Sequence, residues 1–203
     1  MFVTSLKFDP EKLLENYEEM KQRFPATNYN GVESGKRTGW ALISRTGGYD
    51  DIHGRRHRPY KLETEFIHET PALFGYLKEV MDELQEQVGP IFRARISKIR
   101  GKRRIKPHHD GHDGSRFFRY HIPIIPNQRC QFHADGHDFV MGEAGRLYLF
   151  PAWKIHAVEN TGGTRVHLLF SAYKNIEHPN LDACWPPPQE LDMPQQELES
   201  SFI

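Results

Sequence analysis

Cysteine is nearly absent. Cys130 and Cys184 are the only two in 203 residues, and one distant pair cannot form a disulfide framework. That usage fits a reducing compartment. Long apolar runs are missing too: no stretch approaches the roughly 18 residues of a membrane span. The opening Met-Phe-Val-Thr-Ser-Leu-Lys has no basic region followed by an apolar core, so no signal peptide is expected. Nor is there an excess of either charge. Twenty-seven basic residues balance twenty-seven acidic ones, so net charge points neither to nucleic acid nor to an acidic partner. What is left is a soluble, cytoplasmic chain of one domain. What it has in quantity is histidine, twelve in all, many between His108 and His167.

The first helix follows from Asp9, an N-cap residue, and Pro10 at the first helical position. Leu13, Tyr17, Met20 and Phe24 recur at helical spacing until Pro25 stops the run. Residues 26–60 read as strand and loop, with one apolar patch at Trp40–Ile43. A second helix is expected behind Thr70 and Pro71, with Leu73, Leu77, Val80, Leu84 and Val88 as its apolar stripe and Gly89-Pro90 as its stop. From residue 91 the period falls to two. Strands are expected at Ile91–Ile99, Tyr120–Ile125, Arg129–His133, His137–Met141, Arg146–Phe150 and Arg165–Phe170. Helices followed by regularly spaced strands suggest an α+β protein that is mainly β, a sandwich or open barrel. After Trp185 the chain turns to Pro186-Pro-Pro188 and then Gln, Glu and Ser, a composition of flexible tails.

The chemistry concentrates at His108 and Asp110. Two positions apart on a strand or its rim, they point the same way. One more imidazole would complete a two-histidine, one-carboxylate set, which suits iron(II) and leaves coordination positions open. His156, 48 positions on, is the natural candidate. Arg165 follows His156 by nine residues, across the Asn160–Gly163 turn. With a two-residue tip the two would face each other in a hairpin, Cβ atoms about 5 Å apart. A guanidinium there could grip a distant carboxylate bidentately. Other arrangements remain open. His133-Ala-Asp135 is a rival His-x-Asp, although Asp135-Gly136 is better explained as a turn. His109, His112 and Asp113 could replace His108 or Asp110 in a tight loop. The run Arg93–Lys106 holds eight Lys or Arg in fourteen residues. Only Phe92 stands near it as a stacking aromatic, so it is a weak nucleic-acid patch.

Residues 91–173 resemble the aspartyl/asparaginyl β-hydroxylase family of iron(II)/2-oxoglutarate oxygenases. The matching stretches are Arg95-Ile-Ser97, Ile105-Lys-Pro-His108-His-Asp110, Arg119-Tyr-His121-Ile-Pro123, Met141-Gly-Glu143-Ala-Gly145, and His156-Ala-Val-Glu-Asn160 through Arg165-Val-His-Leu168. Bacterial free-proline hydroxylases are similar in the last two. The resemblance implies a double-stranded β-helix, a cupin-like jelly roll, with the N-terminal helices packed outside. It implies one oxygenase domain over residues 1–183, in which 1–90 supplies helices and substrate pocket and 91–175 the jelly-roll core. Residues 184–203 would be the tail. His108, Asp110 and His156 would bind Fe(II). Arg165 would take the distal carboxylate of 2-oxoglutarate, with His121 and Ser97 helping to hold this co-substrate and Arg119 at the substrate. The chain departs from the family at Pro151-Ala-Trp153, before the distal histidine. Animal members lack the carboxylate that Asp110 supplies, so the bacterial type of triad is the closer one.

The activity so implied is hydroxylation of an unactivated C–H bond with dioxygen, coupled to decarboxylation of 2-oxoglutarate to succinate. Unassigned cations at Arg116, Arg119 and in Gly54-Arg-Arg-His-Arg58 suit a carboxylate-bearing small molecule under a closing loop. A free amino acid, proline-like or aspartate- or asparagine-like, is therefore expected over a protein residue. No nucleic-acid or membrane partner is expected. The competing class is a non-catalytic cupin that binds a metal or small acid as a sensor.

Overall fold

The computed structural model describes residues 2–29, 36–52, 63–110, 117–134, 136–150, 152 and 154–172. In chain order the elements are β1 (Phe2–Lys7), α1 (Pro10–Arg23), β2 (Thr27–Asn28), β3 (Arg37–Ala41), β4 (Ile43–Ser44), β5 (His68–Glu69), α2 (Gly75–Val88) and β6 (Ile91–Ile99). They continue with β7 (Arg103–His108), β8 (Phe118–Ile125), β9 (Cys130–Ala134), β10 (His137–Val140), β11 (Arg146–Phe150), β12 (His156–Asn160) and β13 (Arg165–Ala172). Seven strands form one antiparallel sheet in the order β1-β11-β8-β13-β6-β3-β2, and four form a second in the order β10-β9-β12-β7. The fold is a jelly roll, mainly β, with both helices against the larger sheet.

The period of two in the strands sorts residues onto the two faces of that sheet. Ala94 and Ile96, Tyr120, Ile122 and Ile124, Leu147 and Leu149, Val166, Leu168 and Phe170 point one way. They share a core with Leu13, Tyr17 and Met20 of α1 and Leu77, Val80, Leu84 and Val88 of α2. Both helices carry the apolar stripes that this contact requires. Trp40 of β3 closes the layer. Its ring meets Tyr17 edge-on with centroids 5.8 Å apart, and its Nε1 donates to the Phe24 carbonyl at 2.9 Å. A smaller apolar cluster, including Phe117, Phe132, Tyr148, Phe150 and Val158, lies between the sheets.

The start of α1 is as the sequence predicts: the Asp9 carboxylate accepts from the N–H groups of Glu11 and Lys12 at 2.9 and 3.2 Å. The start of α2 is not. Its cap position is Phe74, which offers no side-chain acceptor. Asn16 of α1 accepts from the Leu77 N–H at 2.7 Å instead, so a neighbouring helix caps it. Thr70 is spent one turn earlier, donating to the Ala41 carbonyl at 2.6 Å and accepting from Ala72 N–H at 3.2 Å. Strand β1, ahead of α1, is an element the apolar pattern does not announce. Gly145 explains the glycine of the Met141–Gly145 stretch. It has φ +75°, and a Cβ there would lie 2.1 Å from the Phe8 carbonyl oxygen.

The expected hairpin between His156 and Arg165 is not formed. Strand β12 pairs with β7 and β9 in the small sheet, whereas β13 pairs with β6 and β8 in the large one. The Asn160 amide donates to the Gly163 carbonyl at 2.8 Å, and its oxygen accepts from Gly162 N–H at 3.0 Å. This turn carries the chain across the sandwich rather than back along the same sheet. His156 and Arg165 therefore sit on opposite walls of one interior. Among the described residues no helix is long and apolar enough to cross a membrane. The tail from 184, Cys184, the Gly54–Arg58 run, His112, Asp113, Arg116, Asp135, Pro151 and Trp153 lie outside the described residues.

Candidate active site

The inner face of the large sheet is polar at its centre. Arg95 and Ser97 on β6, Arg119 and His121 on β8, and Arg165 and His167 on β13 alternate with the residues that face the helices. All six are buried. Opposite them, β7 and β12 bring His108 and His156 into register. The register shifts between His156 and Val158, so β7 carries one extra residue where Lys106 and Pro107 stand. Proline belongs at such a bulge, on an edge strand, and bulges re-aim side chains. This one turns His108 toward His156, with ring centroids 4.3 Å apart.

His108, Asp110 and His156 form a cluster whose ligand atoms all lie within 4.8 Å of one another. Each imidazole is fixed by its back nitrogen: His108 Nδ1 lies 2.8 Å from the Lys106 carbonyl and His156 Nδ1 2.8 Å from the Lys154 carbonyl. A carbonyl only accepts, so both Nδ1 atoms carry the proton and both Nε2 lone pairs are left for a metal. Asp110 sits just past the end of β7, where its N–H donates to the Ala152 carbonyl at 2.8 Å. One carboxylate oxygen accepts from Arg119 Nη2 at 3.0 Å; the other lies 3.7 Å from His108 Nε2. Burial pushes the Asp110 pKa up, but Arg119, Arg95 and His156 outweigh it and hold the carboxyl well below its usual range. Two aimed imidazoles and a permanently ionised carboxylate are the donor set that fits iron(II).

Of the rival residues, His109 is exposed and stands outside this cluster. His133 bonds Asp138 through Nδ1 at 2.6 Å. The basic run splits between two sheets, Arg93, Arg95 and Lys98 on β6 and Arg103, Arg104 and Lys106 on β7, so it makes no continuous patch.

Below the cluster lies a small cavity, which His121, Ser97, Arg119 and Arg165 help to line. Arg165 is 3% exposed. Its Nη2 donates to His167 Nδ1 at 2.9 Å, and its guanidinium stands 5.2 Å over the Phe132 ring. Burial, reinforced by Arg37, draws its pKa down to about 10. His121 Nδ1 is 3.4 Å from His167 Nδ1. Two further cations line the same cavity: Arg37, and Arg95 of the Arg95-Ile-Ser97 stretch, an arginine to which the resemblance gives no role. The signal for Arg95 was there in the alternation of β6, where an arginine occupies an inward position two before Ser97.

His121 and His167 are both held neutral, their pKa values pushed well below 6.5 by burial and then by Arg165. In the unfolded chain they titrate near pH 6.5. The stability this difference contributes is complete above that pH and is lost as pH falls below it. Metal-free protein should melt at constant temperature from pH 8 to 7 and at falling temperature from pH 6.5 to 5. Each histidine adds up to about 1.4 kcal/mol per pH unit. His167→Gln should reduce that slope; a melting temperature flat down to pH 5 would refute the assignment.

A jelly roll with a convergent His-Asp-His cluster above a cationic cavity is the architecture of an oxygenase. The chain belongs to the aspartyl/asparaginyl β-hydroxylase family, whose model matches residues 11–175. It is accordingly a hydroxylase of the iron(II)/2-oxoglutarate class, with iron(II) as its metal and 2-oxoglutarate and dioxygen as co-substrates. Among solved structures it is similar to a Pseudomonas putida prolyl-4-hydroxylase, with TM-score 0.53 and 12% identity over 86% of this chain and 92% of that one. It is also similar to a 2OG-Fe(II) oxygenase family oxidoreductase from Burkholderia pseudomallei, with TM-score 0.49 and 14% identity over 80% of each chain. A predicted oxalate decarboxylase from Thermotoga maritima aligns at TM-score 0.32 and 21% identity, over 47% of this chain and 72% of that one. No curated protein matches by sequence.

Proposed function

We propose that the protein hydroxylates a free amino acid at an unactivated carbon, within a single catalytic domain over residues 1–183. In this reading His108, Asp110 and His156 hold the iron, and Arg165, His121 and Ser97 hold 2-oxoglutarate. When bound, the metal supplies the oxidative chemistry that decarboxylation of 2-oxoglutarate to succinate drives. The protein supplies the rest. The carbonyls of Lys106 and Lys154 fix the histidine tautomers, and Arg119 keeps Asp110 ionised with one oxygen turned to the cluster. Phe150 meets the rings of His156 and His121 edge-on, and Phe132 meets that of His121.

The observation that carries the substrate class is Arg95. It is 8% exposed, its Nε has no hydrogen-bond partner, and it lines the cavity in which Asp110 is the one acidic residue among the described residues. Asp110 is already bonded by Arg119. A buried guanidinium without an anion is costly, so Arg95, beside Arg119, is suited to a carboxylate that arrives with the substrate. Succinate release by the full chain with iron(II), 2-oxoglutarate and ascorbate should rise with one or more free amino acids, proline-like and aspartate- or asparagine-like ones being tested first. Stimulation by a folded protein or long peptide, with none by free amino acids, would overturn the substrate class and leave the oxygenase chemistry intact.

A further inference from the structure

The cavity carries more positive charge than one co-substrate arginine explains. Strand β6 has β13 on one side and β3 on the other, and Ile99 is registered with both Arg165 and Arg37. The two arginines thus stand at one level of the sheet, on either side of the same residue, and both line the cavity. The Arg37 Nε is buried without a partner, as is the Nε of Arg165. Arg37 instead lies over the ring of Tyr29, with 4.1 Å between guanidinium carbon and ring centroid.

Tyr29 is held there by a gap in β3. Gly39, two residues after Arg37, points inward with no side chain. A Cβ at Gly39 would lie 2.5 Å from the Ile96 carbonyl oxygen, 3.1 Å from Tyr29 Cε2 and 3.3 Å from its hydroxyl oxygen. The Tyr29 ring fills that space and is 3% exposed. Its hydroxyl stands close to the side chain of Ser97, which is registered with Gly39 on the neighbouring strand. Ring and guanidinium therefore form one wall in which Tyr29 sets the plane of Arg37. Burial lowers the pKa of both Arg165 and Arg95 to about 10, reinforced by Arg37 at Arg165 and by Arg93 and Arg119 at Arg95. Like charges are gathered in a low-dielectric space at a cost that an incoming anion would relieve.

We propose that Arg37 is a second guanidinium for the distal carboxylate of 2-oxoglutarate, and that Tyr29, seated on Gly39, is the positioning residue that aims it. This rests on the reading of Arg165 as the co-substrate clamp. It gives the amino-terminal segment, which carries no recognisable motif, a part in holding the co-substrate. A dicarboxylate shared by Arg165 and Arg37 leaves Arg95 for the substrate.

The test is calorimetric titration of the full-length protein loaded with manganese(II), using two ligands. 2-Oxoglutarate has the distal carboxylate; 2-oxobutyrate keeps the 2-oxo acid end and lacks it. Arg37→Met should weaken 2-oxoglutarate by about 10-fold or more, the scale of a lost charge-assisted hydrogen bond, and leave 2-oxobutyrate within about twofold. Tyr29→Phe should keep most of the affinity because the ring remains, whereas Tyr29→Leu should lose it for 2-oxoglutarate alone. Arg37→Gln serves where the Met variant does not fold. Equal losses for both ligands, or no loss for either, would overturn the proposal. Arg165→Met separates the two readings. If it abolishes discrimination between the ligands while Arg37→Met does not, only the role of Arg37 fails; if it changes nothing, both fail.

Discussion

His156→Ala should abolish turnover and lower iron(II) affinity by more than about 100-fold, beyond the loss that changing an outer-shell partner of a metal ligand brings. The reason is geometric. His108 and His156 meet across the two edges of one bulged strand pair, and Asp110 lies just beyond, so no other described imidazole is placed to take the vacant position. His108→Ala should do the same. At Asp110 the choice of substitution matters. Ala would take the carboxylate from Arg119, which is 2% exposed and bonded to it, and removing one member of a buried ion pair costs roughly 3–5 kcal/mol of stability. Asp110→Asn keeps an acceptor for Arg119 and removes only the negative ligand, so it should fold and still fail to hold iron. Manganese(II) or iron(II) titrations of the three variants, set beside their melting temperatures, check this. A metal coordinated by His133, or full activity in His156→Ala, would sink the assignment.

The parts of this site that were legible in the sequence are those written in strands. Ile91–Ile99 and Arg146–Phe150 have the boundaries that alternation predicts, and β9 and β10 pair antiparallel with His137 opposite Ala134. His108, Asp110 and His156 could be singled out because metal chemistry needs those residue types together. The pairing of β12 could not. The nine residues from His156 to Arg165 suit a hairpin as well as a crossing, and the bonds that hold the crossing, from Asn160 and the distant Asn127 to Gly163 and from Thr161 to Arg129, exist only in the folded chain. Arg37 and Tyr29 were invisible for another reason. Nothing local marks an arginine that lies on a tyrosine over an empty glycine position; the arrangement exists only once β3 has joined β6. The N-cap of α2 was missed in the same way, since its acceptor, Asn16, lies 61 residues upstream.

Arg165→Lys should weaken 2-oxoglutarate about 10- to 100-fold and leave metal affinity nearly unchanged. Charge is conserved in this variant, so a loss would isolate geometry. The guanidinium is held in three ways at once: by burial, by the Phe132 ring beneath it and by His167 Nδ1, which accepts from Nη2. That last bond uses one donor and leaves the others of the planar fork for a carboxylate. A lysine ammonium has neither the plane to lie on Phe132 nor a second nitrogen, so it must give up either His167 or the ligand. The metal cluster is built from the other wall, on β7 and β12, and would not feel the change. Loss of both affinities together would mean that Arg165 holds up the sandwich rather than the co-substrate. If Arg165→Ala leaves 2-oxoglutarate titrations unchanged, the clamp lies elsewhere in the cavity, and Arg119, already aligned with the carboxylate of Asp110, is the next guanidinium to replace.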